Sequence, residues 1–479
     1  MKSHPLTADI APAERQPPQE GATQRIADLL GKAIYAAALV VLILAAVAYG
    51  GSDPWWKAFL TCVIFALGIF AALEIILSDK PKLSGGSVLL PAFVLVLFSA
   101  IQTVPLSRSD QAASGIRYPF WNSISADPYE TRIFALQVIA LMVLAVLLFR
   151  YATNERRMRR LIHVIIAIAV VSALFGLLRQ TMQHQPGFFL PLLQPNQGYG
   201  QFINKNHFAY LMEMGLGLAL GLVAAGGVSR ERALIYLALL LPIWTALVLA
   251  NSRGGILAML VQLVVTLLLF PIIVRDSHFV SERAWGFVKS TAVRLGLVSS
   301  LVILVVIGVF WVGGDQLVSS IEAARGEFTE STEAREGVTR VKIWRDTIKM
   351  FQANPIAGVG MGGYWTAIPS YHQAPGSMTP QQAHNDYLEL VASGGILGLA
   401  IFVWFAVTVL KEARVNLQSP DGFRRAACFS ALIGIAGVAV HSLVDFGLHR
   451  MANAMIFASL IVIATGKLNR ESNLLKEHA

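Results

Sequence analysis

A few charged and polar residues lie beside or within long apolar stretches, where an unused charge is costly. Arg253 follows Asn251 and Ser252 between two such stretches. Its guanidinium stays charged, and its planar fork can hold phosphate or carboxylate oxygens bidentately. The same residue at a membrane rim can instead anchor a helix end by snorkelling. Arg340 and Arg345 offer the same two roles. His384 opens another apolar run. Its imidazole can take a proton near neutral pH or simply meet lipid headgroups. Asn385, Asp386 and Glu389 follow it, and on an ideal helix Glu389 projects roughly 140° from His384, which makes it no obvious partner. Gly395 and Gly398 fall near the His384 face, where glycine lets another helix approach. In Asn204-Lys-Asn206-His207, Asn206 reads as a helix cap, while Asn204 and His207 can face a ligand. Glu213, two turns deeper, calls for a partner such as Arg253. His441, Asp445 and His449 recur every four residues. That spacing reads first as one polar stripe bonding between helices, with Asp445 and His449 also open to a substrate.

The elements that must hold these residues follow from composition. The chain has 479 residues, 55% hydrophobic and 14% charged, with a mean hydropathy of +0.60. The bilayer is therefore its main solvent. A net charge of +9 does not indicate nucleic acid, because Lys and Arg punctuate apolar segments instead of gathering on a soluble domain. Cys62 and Cys428 lie in apolar runs, so neither a disulfide framework nor a cysteine metal site is expected. The fold class expected is all-α and integral to the membrane. Runs of roughly 17–25 apolar residues predict about twelve transmembrane helices, near 33–50, 56–77, 87–104, 132–150, 161–178, 207–226, 233–250, 254–274, 294–312, 385–410, 426–447 and 451–466. A tight outside turn separates the seventh and eighth. The segment 1–32 reads as a retained cytoplasmic tail, since it lacks the short basic start of a cleaved signal peptide; 467–479 reads as a second.

Orientation follows from the basic residues, which cytoplasmic loops retain. Alternate loops hold 23 Lys and Arg on one side and eight in the short loops of the other. Both termini are thus expected inside, and the long segment 313–384 outside. A connection of that length is usually functional. Within it Val341, Trp344, Ile348 and Phe351 recur at helical spacing, which predicts an amphipathic helix lying on the membrane surface with Arg340 and Arg345 flanking its apolar stripe. Pro355 should end that helix, and Gly358, Gly360, Gly362 and Gly363 permit turns back over the membrane.

Three stretches resemble the O-antigen ligase and polymerase superfamily of bacterial envelope glycosyltransferases. Arg253-Gly-Gly-Ile-Leu257 matches an R-x-x-x-L motif. His384-Asn-Asp-Tyr-Leu-Glu, with Gly395, matches a His-x10-Gly spacing. Arg340-Val-Lys-Ile-Trp344 followed by Asn354-Pro355-Ile-Ala-Gly358-Val-Gly360 is similar to the family's loop helix and its exit. The resemblance spans roughly 200–450. It implies a GT-C-like membrane enzyme that takes a glycan from a polyprenyl (undecaprenyl) diphosphate carrier at the outer face of the inner membrane and attaches it to an acceptor sugar. Ligases use the lipid A core in lipopolysaccharide synthesis; polymerases use another carrier-linked repeat unit. On this basis His384 is the expected base, and Arg253, Arg340 and Arg345 the expected diphosphate ligands. Asn204, His207, Glu213, Asp445 and His449 are candidates for the donor or acceptor site.

No D-x-D, H-x-x-H or paired-cysteine pattern occurs in the outside segments, so no metal and no cofactor is expected, with arginines neutralising the diphosphate. A flippase would be expected to show an internal repeat with charges near the bilayer midplane. Here the polar residues gather at the outer rim. A noncatalytic assembly protein would tolerate loss of His384 and Arg253.

Overall fold

A computed structural model describes residues 22–78, 85–105, 123–182, 190, 192–193, 198–273, 340–372 and 380–468. Its long helices are α1 (Ala22–Val47), α2 (Pro54–Ser78), α3 (Gly86–Gln102), α4 (Pro128–Tyr151), α5 (Glu155–Thr181), α6 (Lys205–Ala224), α7 (Arg230–Leu249), α8 (Arg253–Ile273), α9 (Arg340–Ala353), α11 (Asp386–Leu417), α12 (Gly422–His441) and α13 (Met451–Thr465), with a short α10 (Tyr364–Ala367) after α9. Eleven of the twelve expected spans coincide with these helices; the ninth, 294–312, and the loop residues 313–339 lie outside the described residues. Among the described residues, eight helices are long and apolar enough to cross a bilayer, and three shorter apolar ones accompany them. Helix α1 starts at Ala22, within the segment expected to be a tail.

Polar caps fix many of the helix starts. Asp127, Asn154, Asn204, Asn385 and Asp421 each accept a backbone N–H from the first turn, satisfying a donor the helix itself cannot. Asn204, not Asn206, caps α6. The turn between α7 and α8 is as tight as expected, with Asn251 left-handed at φ 50°.

Helix α6 is the axis of the bundle, buried along almost its whole length. It lies against α12 through small residues. A Cβ on Gly217 would come within 2.5 Å of the Gly434 backbone, and one on Gly221 within 2.4 Å of Ser430. The Gly217-x-x-x-Gly221 spacing thus lets two backbones touch, as small-residue repeats do in membranes. Gly217→Leu is expected to force the pair apart and cost on the order of 3 kcal/mol, read as a lower unfolding temperature in detergent. An unchanged transition would show that the contact is dispensable.

The described segment between α8 and α11 forms a small packed unit, with Met350, Val359, Tyr364, Ile368 and, from α11, Ala392 at its centre. Helix α9 is amphipathic, as expected, but a different face is buried: Ile343, Asp346, Thr347 and Met350. Ile348, from the predicted stripe, is 44% exposed. The polar members of the buried face are satisfied internally. Asp346 pairs with His372 and Lys349, each at 2.8 Å, and Thr347 bonds the Tyr364 hydroxyl at 2.7 Å. Hydropathy alone could not reveal this, because partners contributed from up to 26 residues away turn polar positions into interior ones.

The unit is locked to the bundle at a break in α11. Gly395 adopts φ 61° and ψ −160°, a non-helical conformation that interrupts the helix. The chain after Pro355 fills the interruption. The Ile396 and Leu397 amides donate to the carbonyls of Pro355 and Ile356, at 2.8 and 3.2 Å, while the amides of Val359 and Gly360 donate to Ala392 and Ser393, at 3.1 and 3.0 Å. Gly395 was expected to admit a neighbouring helix. What it admits is loop backbone, since a Cβ there would sit 2.3 Å from the Ile356 oxygen. Gln102, at the end of α3, adds a staple: its amide nitrogen donates to Ala357 and Ser393 carbonyls, and its oxygen accepts from the Met361 amide.

Candidate active site

The polar residues singled out in the sequence converge where α6, α8 and α9 begin and α12 ends. Beside His384 the backbone is clamped from both sides. The Ala383 amide donates to the Glu389 carboxylate at 2.8 Å, and the Trp344 indole donates to the Ala383 carbonyl at 3.0 Å. His384 itself is left-handed, at φ 50°, and precedes the Asn385 cap instead of lying in α11. The helical-wheel estimate that set Glu389 aside therefore does not apply. Glu389 folds back under the His384 turn, and with Asp386 it brackets His449, whose Nε2 lies 3.6 and 3.5 Å from the two carboxylates. Asp386 also accepts from the Ser442 hydroxyl at 2.7 Å. Desolvation, and behind it the Arg450 and Lys57 cations, pushes the His449 imidazole down.

Asp445 ties three elements together. It is 1% exposed. It accepts from the Asn206 side-chain amide and from the Phe446 backbone N–H, with Arg340 at 3.6 Å and His207 at 3.8 Å. The expected stripe of His441, Asp445 and His449 does not form on one helix. Helix α12 ends at His441, Asp445 sits in the following turn, and His449 closes a 3-10 helix, Gly447–His449. Asp445→Ala would strand the buried donors it serves, each at a cost of about 1–3 kcal/mol. A lower unfolding temperature is expected, and an unshifted one would show that the carboxylate holds nothing together.

Phe446 is the residue that sequence reading missed most completely. The rings of His207, His384 and His449 meet it edge-on at centroid distances of 4.9, 4.8 and 5.8 Å, and the Arg450 guanidinium lies over its face. An apolar ring among three imidazoles fixes their orientations without competing for their nitrogens. No local pattern announces it, because its partners come from three separate segments.

Glu213 is fully buried and pairs with His441 at 3.2 Å, not with Arg253 as expected. Tyr210 stacks on that imidazole at 4.1 Å. This group lies below the convergence and braces it. The two glycines after Arg253 explain how α8 approaches. A Cβ on Gly254 would stand 2.4 Å from the His441 ring, and one on Gly255 2.7 Å from Ala209. The helix start is thereby pressed into the α6–α12 seam, and Arg253 remains exposed at its tip. Lys205, which sequence reading did not single out, lies within electrostatic reach of both Arg253 and Arg340. Three cations thus gather beside the histidine-rich face. Arg345 is exposed and roughly 140° around α9 from Arg340, on another flank of the helix. Asn204 serves as a cap, and His207 is buried against Asp445 and Phe446.

Such an arrangement can hold an anionic group on Lys205, Arg253 and Arg340 while histidines and carboxylates face whatever is bound to it. A search of curated proteins returns no match to the chain. Residues 235–403 match the family model described as O-antigen ligase. The matched segment, about a third of the chain, takes in Arg253, Arg340 and His384, and over it the chain is similar to the O-antigen ligase family.

Proposed function

We propose that this protein transfers a glycan from a polyprenyl (undecaprenyl) diphosphate carrier to an acceptor sugar, as a ligase acting on the lipid A core in lipopolysaccharide synthesis. The observation that carries the reading is Arg340 at Asp445, with Lys205 in electrostatic reach of both Arg340 and Arg253, next to the Phe446 ring that His384 meets. In the proposed step the acceptor hydroxyl oxygen bonds to the anomeric carbon, and the bond from that carbon to the diphosphate oxygen breaks. The polyprenyl diphosphate leaves with the electron pair, and the hydroxyl proton passes to the His384 imidazole. Arg253 and Arg340 neutralise the charge that grows on the leaving group. The Arg340–Asp445 contact of 3.6 Å is longer than a hydrogen bond, so the guanidinium keeps donors for phosphate oxygens. Arg345 would meet a diphosphate only from the solvent side. In this scheme Asp386, Glu389 and His449 orient acceptor hydroxyls, and Asp445, His207 and Phe446 position the rest.

The cations take the place of a metal in this scheme, so transfer should persist in excess EDTA. The site would face the periplasm from the inner membrane, with both termini cytoplasmic, in accord with the loop charges. The test is an assay of purified protein with carrier-linked glycan and a single acceptor. Product on lipid A core supports the ligase. Product only on a second carrier-linked repeat unit would make the protein a polymerase using the same chemistry, and no product with either would overturn the proposal.

A further inference from the structure

At the opposite end of the bundle, where α5 and α7 begin, a cavity of about 620 Å³ is lined by Glu155, Arg159, Ser229, Arg232 and, deeper, His163 and Tyr236. His163 and Tyr236 also line an apolar cavity of about 290 Å³ that continues along the same two helices past Ile166, Ala167 and Val170 to Leu239. The His163 imidazole and the Tyr236 hydroxyl are hydrogen bonded at 2.7 Å. His163 lies eight residues into α5 and Tyr236 six into α7, so the pair sits roughly 10 Å below the mouth. Polar groups on an outward face at that depth are costly against lipid tails alone. The mouth is cationic. Glu155 is already held by Arg159 at 2.8 Å, and Arg159 also caps the Gly227 carbonyl and lies over Phe423. Arg232 is exposed at the entrance.

We infer that this cleft binds one anionic glycerophospholipid of the adjacent leaflet, its phosphate at Arg159 and Arg232, its glycerol esters at the His163–Tyr236 pair, and an acyl chain in the apolar groove. A zwitterionic headgroup fits less well, because the carboxylate its ammonium would seek is occupied by Arg159. The polar mouth, polar waist and apolar tail slot occur in the order in which a phospholipid presents these groups.

The test uses the full-length protein in nanodiscs of equal phosphatidylglycerol and phosphatidylcholine, with retained lipid read by native mass spectrometry. One phosphatidylglycerol per protein is expected, enriched about tenfold over phosphatidylcholine. Arg232→Gln should cut that enrichment about fivefold, while Arg25→Gln, an exposed arginine on α1, should leave it intact. Ala167→Phe fills the groove and should lower retention of both lipids. Equal loss in Arg25→Gln and Arg232→Gln would reduce the effect to general surface charge and overturn the site. So would retention unchanged by either Arg232→Gln or Ala167→Phe.

Discussion

Replacing His384 by asparagine is expected to slow glycan transfer by about 10²–10⁴-fold, the range that a positioned general base supplies, with little loss of stability. Asparagine is the informative substitution because His384 is left-handed at φ 50°, a conformation that asparagine accepts and most other residues resist. The clamp on Ala383 from Glu389 and Trp344 does not use the His384 side chain, so the turn should persist in the variant. His384→Ala should lose the same rate and somewhat more stability. The two variants therefore separate chemistry from folding. Wild-type transfer by His384→Asn would remove the base from the proposed mechanism. A melting transition that collapsed in both variants would make the residue a structural one.

Gly395→Val is expected to be the most damaging single change outside the charged cluster. At φ 61° and ψ −160° the backbone is in a region essentially reserved for glycine, and a side chain there costs of order 1–3 kcal/mol in strain alone. The added carbons would also occupy the place of the Ile356 carbonyl, 2.3 Å from a Cβ. The four backbone hydrogen bonds exchanged between 355–360 and 392–397 could not all form, and the loop would lift from α11. The expected result is a large fall in unfolding temperature, or protease sensitivity confined to 340–372, with loss of transfer, since α9 carries Arg340 into the site. Gly398→Ala is the control: a Cβ there meets nothing closer than 3.8 Å and should be tolerated. A Gly395→Val protein as stable and protease-resistant as wild type would show that the break is not needed for docking.

Much of this protein was determined by local sequence. Apolar runs long enough to span a bilayer specify helices wherever they occur, because backbone groups in hydrocarbon have no partner except their own chain. Cap residues such as Asn154, Asn385 and Asp421 mark where several of them start. The motifs around Arg253, Arg340 and His384 were legible for the same reason, being short and contiguous. Tertiary structure alone decided which face of α9 is buried, since Asp346 becomes interior only once His372 meets it. It also decided that α11 breaks at Gly395 to admit a loop, that Glu213 pairs with His441, and that Asn204 instead of Asn206 caps α6. The meeting of His207, His384 and His449 on the Phe446 ring is of the same kind. Asn206 and Asp445, 239 positions apart, are bonded there. Their energetic value lies in desolvation and pairing across helices, which no periodicity along one helix records.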